Sequence, residues 1–325
     1  MRPLKILTWL THGSYLYYLS QAPHEFYVLS KPERPPGYGG RQGQYPWGPN
    51  VHDMPVDQVK QAQFDCIVFQ DDIQFQRDQF EILSASQRKL PRIYIEYDPP
   101  RGHPTDTRHP VDDPDVLLVH VTPFNALMWD SGRTPTQVIE HGVKVPENVA
   151  WSGELDSGLV ILNELAQRGR RLGVDVFEES RAQVALELIG KGAAQLGGAG
   201  EIEYARLPAF AARYRYLFNP TRYTSLSLAM LEAMMIGMPV VALATTEIAT
   251  VIENGVSGFI DTRPCRLVTH MQELARNPAL ARSLGAQARR TARERFGIER
   301  FSADWDGALR HVTGTRRPSY GLMRA

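Results

Sequence analysis

Hydrophobic residues along this chain fall into short runs that polar, helical or turn segments separate. Within each run the apolar positions are nearly continuous, which is typical of parallel strands buried on both faces. Helical segments such as 77–90 lie between several runs. Strand–helix–strand alternation predicts an α/β protein built on doubly wound parallel sheets. The predicted strands are 5–10, 25–30, 65–70, 92–98, 116–122 and 136–143 in the first half, and 159–165, 184–190, 215–220, 238–243 and 258–262 in the second.

The length of the chain, 325 residues, exceeds what one hydrophobic core usually covers. Residues 144–158 show no hydrophobic periodicity and predict a linker. We therefore predict two Rossmann-like domains, 1–148 and 149–325. The segment 278–312 is rich in Ala and Arg and predicts closing helices, and we expect the last helix to pack back toward the first domain.

Composition narrows the function classes. Lys plus Arg equal Asp plus Glu at 36 each, which argues against a nucleic-acid partner. Cys66 and Cys265 lie far apart without metal-ligand spacing, which suits a reducing, cytoplasmic compartment. No apolar run approaches ~18 residues, so no membrane span is predicted, and the apolar N-terminal run reads as a first strand. A peripheral contact with the inner face of a membrane is left open.

Two long loops rich in Pro and Gly, 30–50 and 97–115, interrupt the first half. Loops of this length inside a compact domain commonly bind substrate or close over it, and a plain surface loop is the alternative. Four polar residues of the second loop are candidates to contact an acceptor, with surface ion pairing as the alternative: Arg108, His109, Asp112 and Asp113.

The most informative stretch is "RYTSLSLAMLEAMMIGMPVVAL", which begins at Arg222. A strand ending at Pro220 is followed by a helix predicted from about Ser225. The first N–H groups of such a helix have no partner within it, and with the macrodipole they favour an anion, above all phosphate. Four residues surround this predicted helix start and would border the ligand: Thr224, Ser225, Leu226 and Ser227.

The helix carries one carboxylate, Glu232, about two turns after its predicted start. From the flank of the helix it could accept hydrogen bonds from ligand hydroxyls, such as those of a ribose. A solvated charge on a capped amphipathic helix is the alternative reading.

The whole string resembles the donor-binding segment of glycosyltransferases with the GT-B fold, in particular family 4, the group 1 transferases. The stretches 138–146 and 280–301 resemble the end of that family's N-terminal domain and its C-terminal helices. The residues that fall in matching places are Pro220, Ser225–Leu226–Ser227, Glu232–Ala233–Met234, Gly237, Pro239–Val240–Val241–Ala242, Ile248, Glu253, Gly255 and Gly258.

The resemblance implies two Rossmann-like domains facing each other across a cleft. It implies a hexosyltransferase that takes its sugar from a nucleotide-diphosphate donor and needs no other cofactor and no metal. Transfer would proceed with retention, and the acceptor would be a carbohydrate, a lipid-linked sugar or a small molecule.

The resemblance also assigns roles to residues outside the helix. The donor diphosphate would meet Arg168, Arg170 or Arg171, with Arg171 favoured and Lys191 as a second candidate. Gly13, in a loop after the first strand, would border the donor. Asp98 follows the fourth predicted strand of the family pattern and is the candidate catalytic residue, with a turn-forming Asp as the alternative.

Three departures from the family pattern bear on its implications. The family's Glu-x7-Glu pair becomes Thr224 and Glu232, so the first Glu is lost. A Gly-Gly pair becomes Thr246–Glu247, and a Gly-Arg pair becomes Asn163–Glu164. Two alternatives therefore stay open: a degenerate, non-catalytic GT-B domain that binds a nucleotide or a protein partner, and another GT-B reaction such as epimerisation.

Overall fold

The computed structural model describes residues 1–43 and 45–314 and divides the chain into two compact units. The first unit consists of Met1–Glu140 together with a helix that starts at Ile298, and the second consists of His141–Gly297. Each unit is built on one parallel sheet with helices between its strands, so the predicted α/β class is confirmed.

The sheet of the first unit has seven parallel strands in the order β3-β2-β1-β4-β5-β6-β7. Its strands are β1 (Lys5–Thr8), β2 (Glu25–Ser30), β3 (Val51–Pro55), β4 (Cys66–Phe69), β5 (Arg92–Glu96), β6 (Val116–His120) and β7 (Thr136–Val138). Its helices, numbered in chain order, are α1 (Gly13–Leu19), α2 (Gln79–Ile82), α3 (Pro123–Met128) and α11 (Ile298–Val312). Trp305 of α11 is fully buried, and its indole Nε1 lies 3.2 Å from the hydroxyl of Tyr15 on α1.

Two elements of this unit differ from the sequence prediction. Strand β3 was not predicted, because it is an edge strand that carries His52, Asp53 and Pro55 and needs no continuous apolar run. The helix predicted over 77–90 is wrong: a π-helical turn runs into α2, which ends at Ile82. The Gln87 side chain accepts from the Ser84 N–H at 2.9 Å, and such local bonds compete with a continuing helix.

The second unit has a five-stranded parallel sheet in the order β12-β11-β10-β8-β9. Its strands are β8 (Leu155–Ile161), β9 (Leu186–Ile189), β10 (Tyr214–Asn219), β11 (Val240–Leu243) and β12 (Gly258–Asp261). Its helices are α4 (Leu165–Arg168), α5 (Val174–Arg181), α6 (Leu207–Ala211), α7 (Leu228–Ile236), α8 (Ile248–Val251), α9 (Pro264–Arg276) and α10 (Pro278–Phe296).

The strand order creates one topological switch point in each sheet. In the second unit β8 is followed in the chain by β9 on one side, and then by β10 on its other side. In the first unit β1 is followed by β2 on one side and later by β4 on the other. Open α/β sheets bind ligands at the carboxyl ends of the strands that flank such a point. The loops after β8 and β10, and those after β1 and β4, are therefore the places to look for a site.

Candidate functional site

The loops that follow β8 and β10 approach each other closely at Gly173. A Cβ atom at this position would lie 2.0 Å from the carbonyl oxygen of Pro220, and the backbone φ is +78°. Only glycine tolerates both the left-handed backbone and this approach. Gly173 therefore allows the first turn of α5 to pack against the end of β10.

Main-chain hydrogen bonds join the same two loops beside this contact. The carbonyl oxygen of Arg171 accepts the N–H groups of Arg222 at 3.0 Å and Tyr223 at 3.1 Å. The structure thus brings Arg171 and the segment that begins at Thr224 to one edge of the sheet. The two were predicted to share a ligand although they lie far apart in the sequence.

The carboxylate of Asp175 reinforces this junction from α5. It accepts hydrogen bonds from Nη1 and Nη2 of Arg222, and it also pairs with Arg170. The Arg222 guanidinium holds the pKa of Asp175 below its usual range. A phosphate at Arg170 would therefore compete with a carboxylate that is already in place.

The helix predicted to start at about Ser225 begins later, at Leu228. Ser227 is its N-cap, and the Ser227 hydroxyl accepts the N–H of Met230 at 3.3 Å. Thr224 and Ser225 precede the helix, so Glu232 lies about one turn after the helix start and not two turns as predicted. The cap satisfies one orphan donor and leaves the N–H groups of the first two helical residues available to an anion.

Burial differs among the four residues around the helix start. Leu226 and Ser225 are buried, with 4% and 9% of their surface exposed, whereas Thr224 and Ser227 are half-buried. Glu232 lies inside α7 and is half-buried. The buried Leu226 anchors the turn, and the half-buried hydroxyls and carboxylate remain accessible along it.

The remaining predicted cations, Arg168 and Lys191, follow β8 and β9 in the chain. Arg168 is half-buried at the end of α4. The Lys191 ammonium lies 2.8 Å from Glu164 Oε1, and this pairing raises the pKa of Lys191 and lowers that of Glu164. A phosphate at Lys191 would therefore compete with a carboxylate that is already in place, which weakens the case for Lys191.

In the first unit, Gly13 is the first residue of α1, next to the switch point. A Cβ atom there would lie 2.4 Å from Cε2 of Tyr45, so the Tyr45 ring packs directly on this position. The ring of the neighbouring His12 packs against Tyr97, with 4.1 Å between the ring centroids and 57° between the ring planes. Packing alone explains a glycine at this position, and its predicted contact with a donor stays a prediction.

The candidate catalytic residue, Asp98, follows β5 and is fixed from several directions. Its N–H donates to Glu96 Oε1 at 2.9 Å, and its carbonyl accepts from Trp129 Nε1 at 2.8 Å. Its carboxylate pairs with Arg101, which raises the pKa of that guanidinium. A role as a proton acceptor would require Asp98 to part from Arg101, whereas a role in orienting a hydroxyl would not.

Sequence reasoning missed the partner that holds Glu96 in place. The buried His109 of the 97–115 loop lies 3.0 Å through Nε2 from Glu96 Oε2, and its Nδ1 accepts the N–H of Val111 at 3.0 Å. The acceptor role of Nδ1 fixes the proton on Nε2. The other candidates of this loop form ion pairs: Arg108 with Asp112, and Asp113 with Arg92.

Two further properties concern residues 1–43 and 45–314. Within these ranges no group of three or more His, Cys, Asp and Glu side chains is arranged to hold a metal ion. Over the same ranges, no helix combines the length and the apolar character needed to span a bilayer.

Comparison with known proteins bears on the same region. Residues 165–277 match the family described as "Glycosyl transferases group 1". No curated protein matches the chain. Among solved structures, sucrose-phosphate synthase from Thermosynechococcus elongatus is 14% identical, with a TM-score of 0.68 over 97% of this chain and 100% of that one.

Two other solved structures are similar. HepE from Anabaena, solved with UDP and glucose, is 14% identical, with a TM-score of 0.66 over 95% of this chain and 100% of its own. TarM from S. aureus, solved as a mutant with Fondaparinux, α-GlcNAc-glycerol and UDP, is 15% identical, with a TM-score of 0.60 over 78% of this chain and 58% of its own.

These similarities and the two parallel sheets establish a two-domain, Rossmann-like GT-B fold, as the sequence predicts. The matched segment contains Arg168 and Arg171, the loop after β10 and the whole of α7. Residues 165–277 are thus similar to group 1 glycosyltransferases, and the predicted enzyme class, a glycosyltransferase, is confirmed.

Proposed function

We propose that the protein transfers a sugar from a UDP-sugar to a hydroxyl group of a carbohydrate, lipid-linked or small-molecule acceptor, with retention and without a metal ion. One observation carries the proposal: Arg171 and the segment that begins at Thr224 lie within the group 1 match, and main-chain hydrogen bonds join the two segments at one edge of the sheet. HepE and TarM were both solved with UDP, which makes uridine the first base to test.

The donor's diphosphate would bind between Arg171 and the start of α7. A guanidinium can hold phosphate oxygens in a bidentate way, and the uncapped N–H groups of Leu228 and Ala229 add dipoles of the right sign. Arg168 would contribute from the end of α4. Glu232, further along α7, would accept hydrogen bonds from the ribose hydroxyls.

In the reaction, the bond between the anomeric carbon and the phosphate oxygen breaks while the acceptor oxygen bonds to the same face of that carbon. The departing diphosphate gains charge, which Arg171 and the helix start stabilise. The proton of the acceptor hydroxyl passes to the departing phosphate oxygen. Thr224 and Ser225 would border the donor without taking or giving a proton, and the roles of Asp98 and Gly13 stay predictions of the family resemblance.

Nucleotide binding tests the donor site first. The thermal midpoint of the wild type should rise with UDP, because a ligand that binds only the folded state stabilises it by mass action. Glu232→Ala should lose most of this rise, and Glu294→Ala should keep it, because Glu294 is an exposed carboxylate on α10. GDP and ADP in parallel identify the base.

Turnover then tests the reaction. Wild type with UDP-glucose should release UDP slowly to water, faster with a suitable acceptor, and equally well in excess EDTA. No rise in midpoint with any of the nucleotides, together with no release of UDP, would contradict the proposal and favour a degenerate domain that binds another partner. A release that EDTA abolishes would contradict the metal-free part alone.

A further inference from the structure

Backbone conformation singles out two residues near the proposed donor site. Among the described residues, only Arg34, Glu164 and Thr246 combine a side chain with a positive φ, at 50°, 58° and 49°. Such angles are uncommon for any residue with a Cβ atom, and a β-branched residue like Thr246 is a genuine outlier. Glu164 and Thr246 follow β8 and β11 at the carboxyl edge of the same sheet, whereas Arg34 belongs to the first unit.

The surroundings hold both residues in this unfavourable conformation. Glu164 donates its N–H to the Lys191 carbonyl at 2.6 Å, while its carboxylate pairs with the Lys191 ammonium. Thr246 lies between Thr245, whose hydroxyl donates to the Thr221 carbonyl at 2.8 Å, and the buried Glu247. Strain that neighbours enforce in this way is concentrated at functional sites.

The two residues flank the switch-point loop from opposite sides. The sheet order β11-β10-β8 places two strand spacings, about 10 Å, between the strands that carry them. The segment with Thr224 and Ser225 follows the strand between. A sugar diphosphate lying along this edge would therefore come within reach of both side chains.

Their chemistry suits a neutral, hydroxylated sugar. The Glu164 side chain retains 42% exposure beside Lys191, and the pairing lowers its pKa, so the group is a carboxylate at neutral pH. The half-buried Thr246 has a hydroxyl with no hydrogen-bond partner in residues 1–43 and 45–314. A carboxylate accepts hydrogen bonds from sugar hydroxyls, whereas it repels an acidic sugar.

We propose that Glu164 and Thr246 determine which donor sugar binds, and that they select a neutral hydroxylated sugar over one that bears a carboxylate. The inference rests on the proposed donor site and adds the residues that distinguish its substrates. Both side chains occupy backbone positions at which glycine would be less strained, so each is retained at a cost to folding.

Thr246→Gly separates recognition from stability. Relief of the left-handed strain should raise the thermal midpoint by about 1–3 °C. Loss of the hydroxyl should weaken UDP-glucose roughly two- to tenfold while leaving UDP unchanged. A purely structural threonine would give the first effect without the second. The measurement is calorimetric binding of UDP and of UDP-glucose to each variant.

Glu164→Gln tests the charge. Its affinity for UDP-glucuronic acid relative to UDP-glucose should rise roughly five- to tenfold, because the repulsion between two carboxylates is removed. The affinity for UDP should change less than the ratio of the affinities for these two UDP-sugars. The control for Thr246→Gly is Arg34→Gly, which also removes a left-handed side chain but lies in the first unit, and which should leave both ratios unchanged.

The outcomes distinguish the two proposals. Failure of the wild type to bind UDP or UDP-glucose would overturn the proposed function and this inference together. Tight binding of both, with unchanged ratios in Thr246→Gly and Glu164→Gln, would overturn only the selection of the sugar. A changed ratio in Arg34→Gly as well would show a general effect of strain and would also overturn it.

Discussion

The residues at the carboxyl-terminal ends of the strands differ in charge between the two sheets. In the second unit, the loops after β8 and β10 present arginines and small hydroxyl residues. In the first unit, β5 ends in the carboxylate Glu96, and the loops after β4 and β5 add Asp71, Asp72 and Asp98. Burial, with repulsion from Asp72, raises the pKa of Asp71. One architecture thus supports an edge suited to a polyanion and an edge suited to hydroxyl donors, because loops rather than strands supply the chemistry.

The largest effect is expected from disrupting the contact between the loops after β8 and β10. Gly173→Ala places a Cβ atom against the Pro220 carbonyl and adds the left-handed penalty, so we expect a loss of about 2–5 kcal/mol of unfolding free energy. Denaturant unfolding measures it. Gly197→Ala is the control, since its φ of +73° has no atom within 4 Å of the added Cβ. Equal losses in both variants would show that the contact with Pro220 is unimportant.

A smaller effect is expected from removing one of the two arginine side chains after β8. Arg171→Ala should weaken UDP roughly 10- to 100-fold, because it removes a charged hydrogen-bond donor and leaves the Arg171 carbonyl contacts in place. Arg170→Ala should weaken UDP less than about threefold, since the Arg170 side chain is 74% exposed and already paired. Calorimetric titration compares them, and a larger loss in Arg170→Ala would reverse our assignment.

The smallest expected effect is a loss of stability of the first unit in acid. Burial lowers the pKa of His120, in β6, to about 3. Between pH 6.5 and 3 the unfolded chain binds a proton that the folded unit does not. The contribution of His120 to the free energy of unfolding is therefore fully present above about pH 6.5. Below that pH it falls by up to ~1.4 kcal/mol per pH unit.

Tryptophan fluorescence can follow this change, because four of the five tryptophans lie in the first unit: Trp9, Trp47, Trp129 and Trp305. Between pH 7 and pH 5 the thermal unfolding midpoint of the wild type should fall more than that of His120→Gln. An equal fall in both would show that His120 is not the sensitive group.

The sequence located most strands because parallel, doubly covered strands leave near-continuous apolar runs. It placed one strand at 159–165 after a linker at 144–158, whereas β8 begins at Leu155. It missed β3, whose exposed edge tolerates His52 and Asp53. It could not place the start of α7, because Ser225 and Ser227 are equally good caps and tertiary packing of Leu226 decides between them.

At the candidate site, residue types were predictable and pairings were not. A cation after β8 and a carboxylate in α7 follow from the family pattern. The contacts of Asp175 with Arg222, and of Glu96 with His109, join segments that approach only after folding. The left-handed backbone at Thr246 contradicts its residue preference, and its one sign in the sequence is the glycine that the family pattern has at this position.

The division of the chain has a consequence for its synthesis. The second unit is inserted into the first, and its two ends meet where the Val143 N–H donates to the Phe296 carbonyl at 2.9 Å. Helix α11, with Phe301 and Trp305 packed on Tyr15, belongs to the first unit but leaves the ribosome after the second. During translation the unit that starts first therefore finishes last, and the inserted unit is the one that can complete its core while still attached to the ribosome.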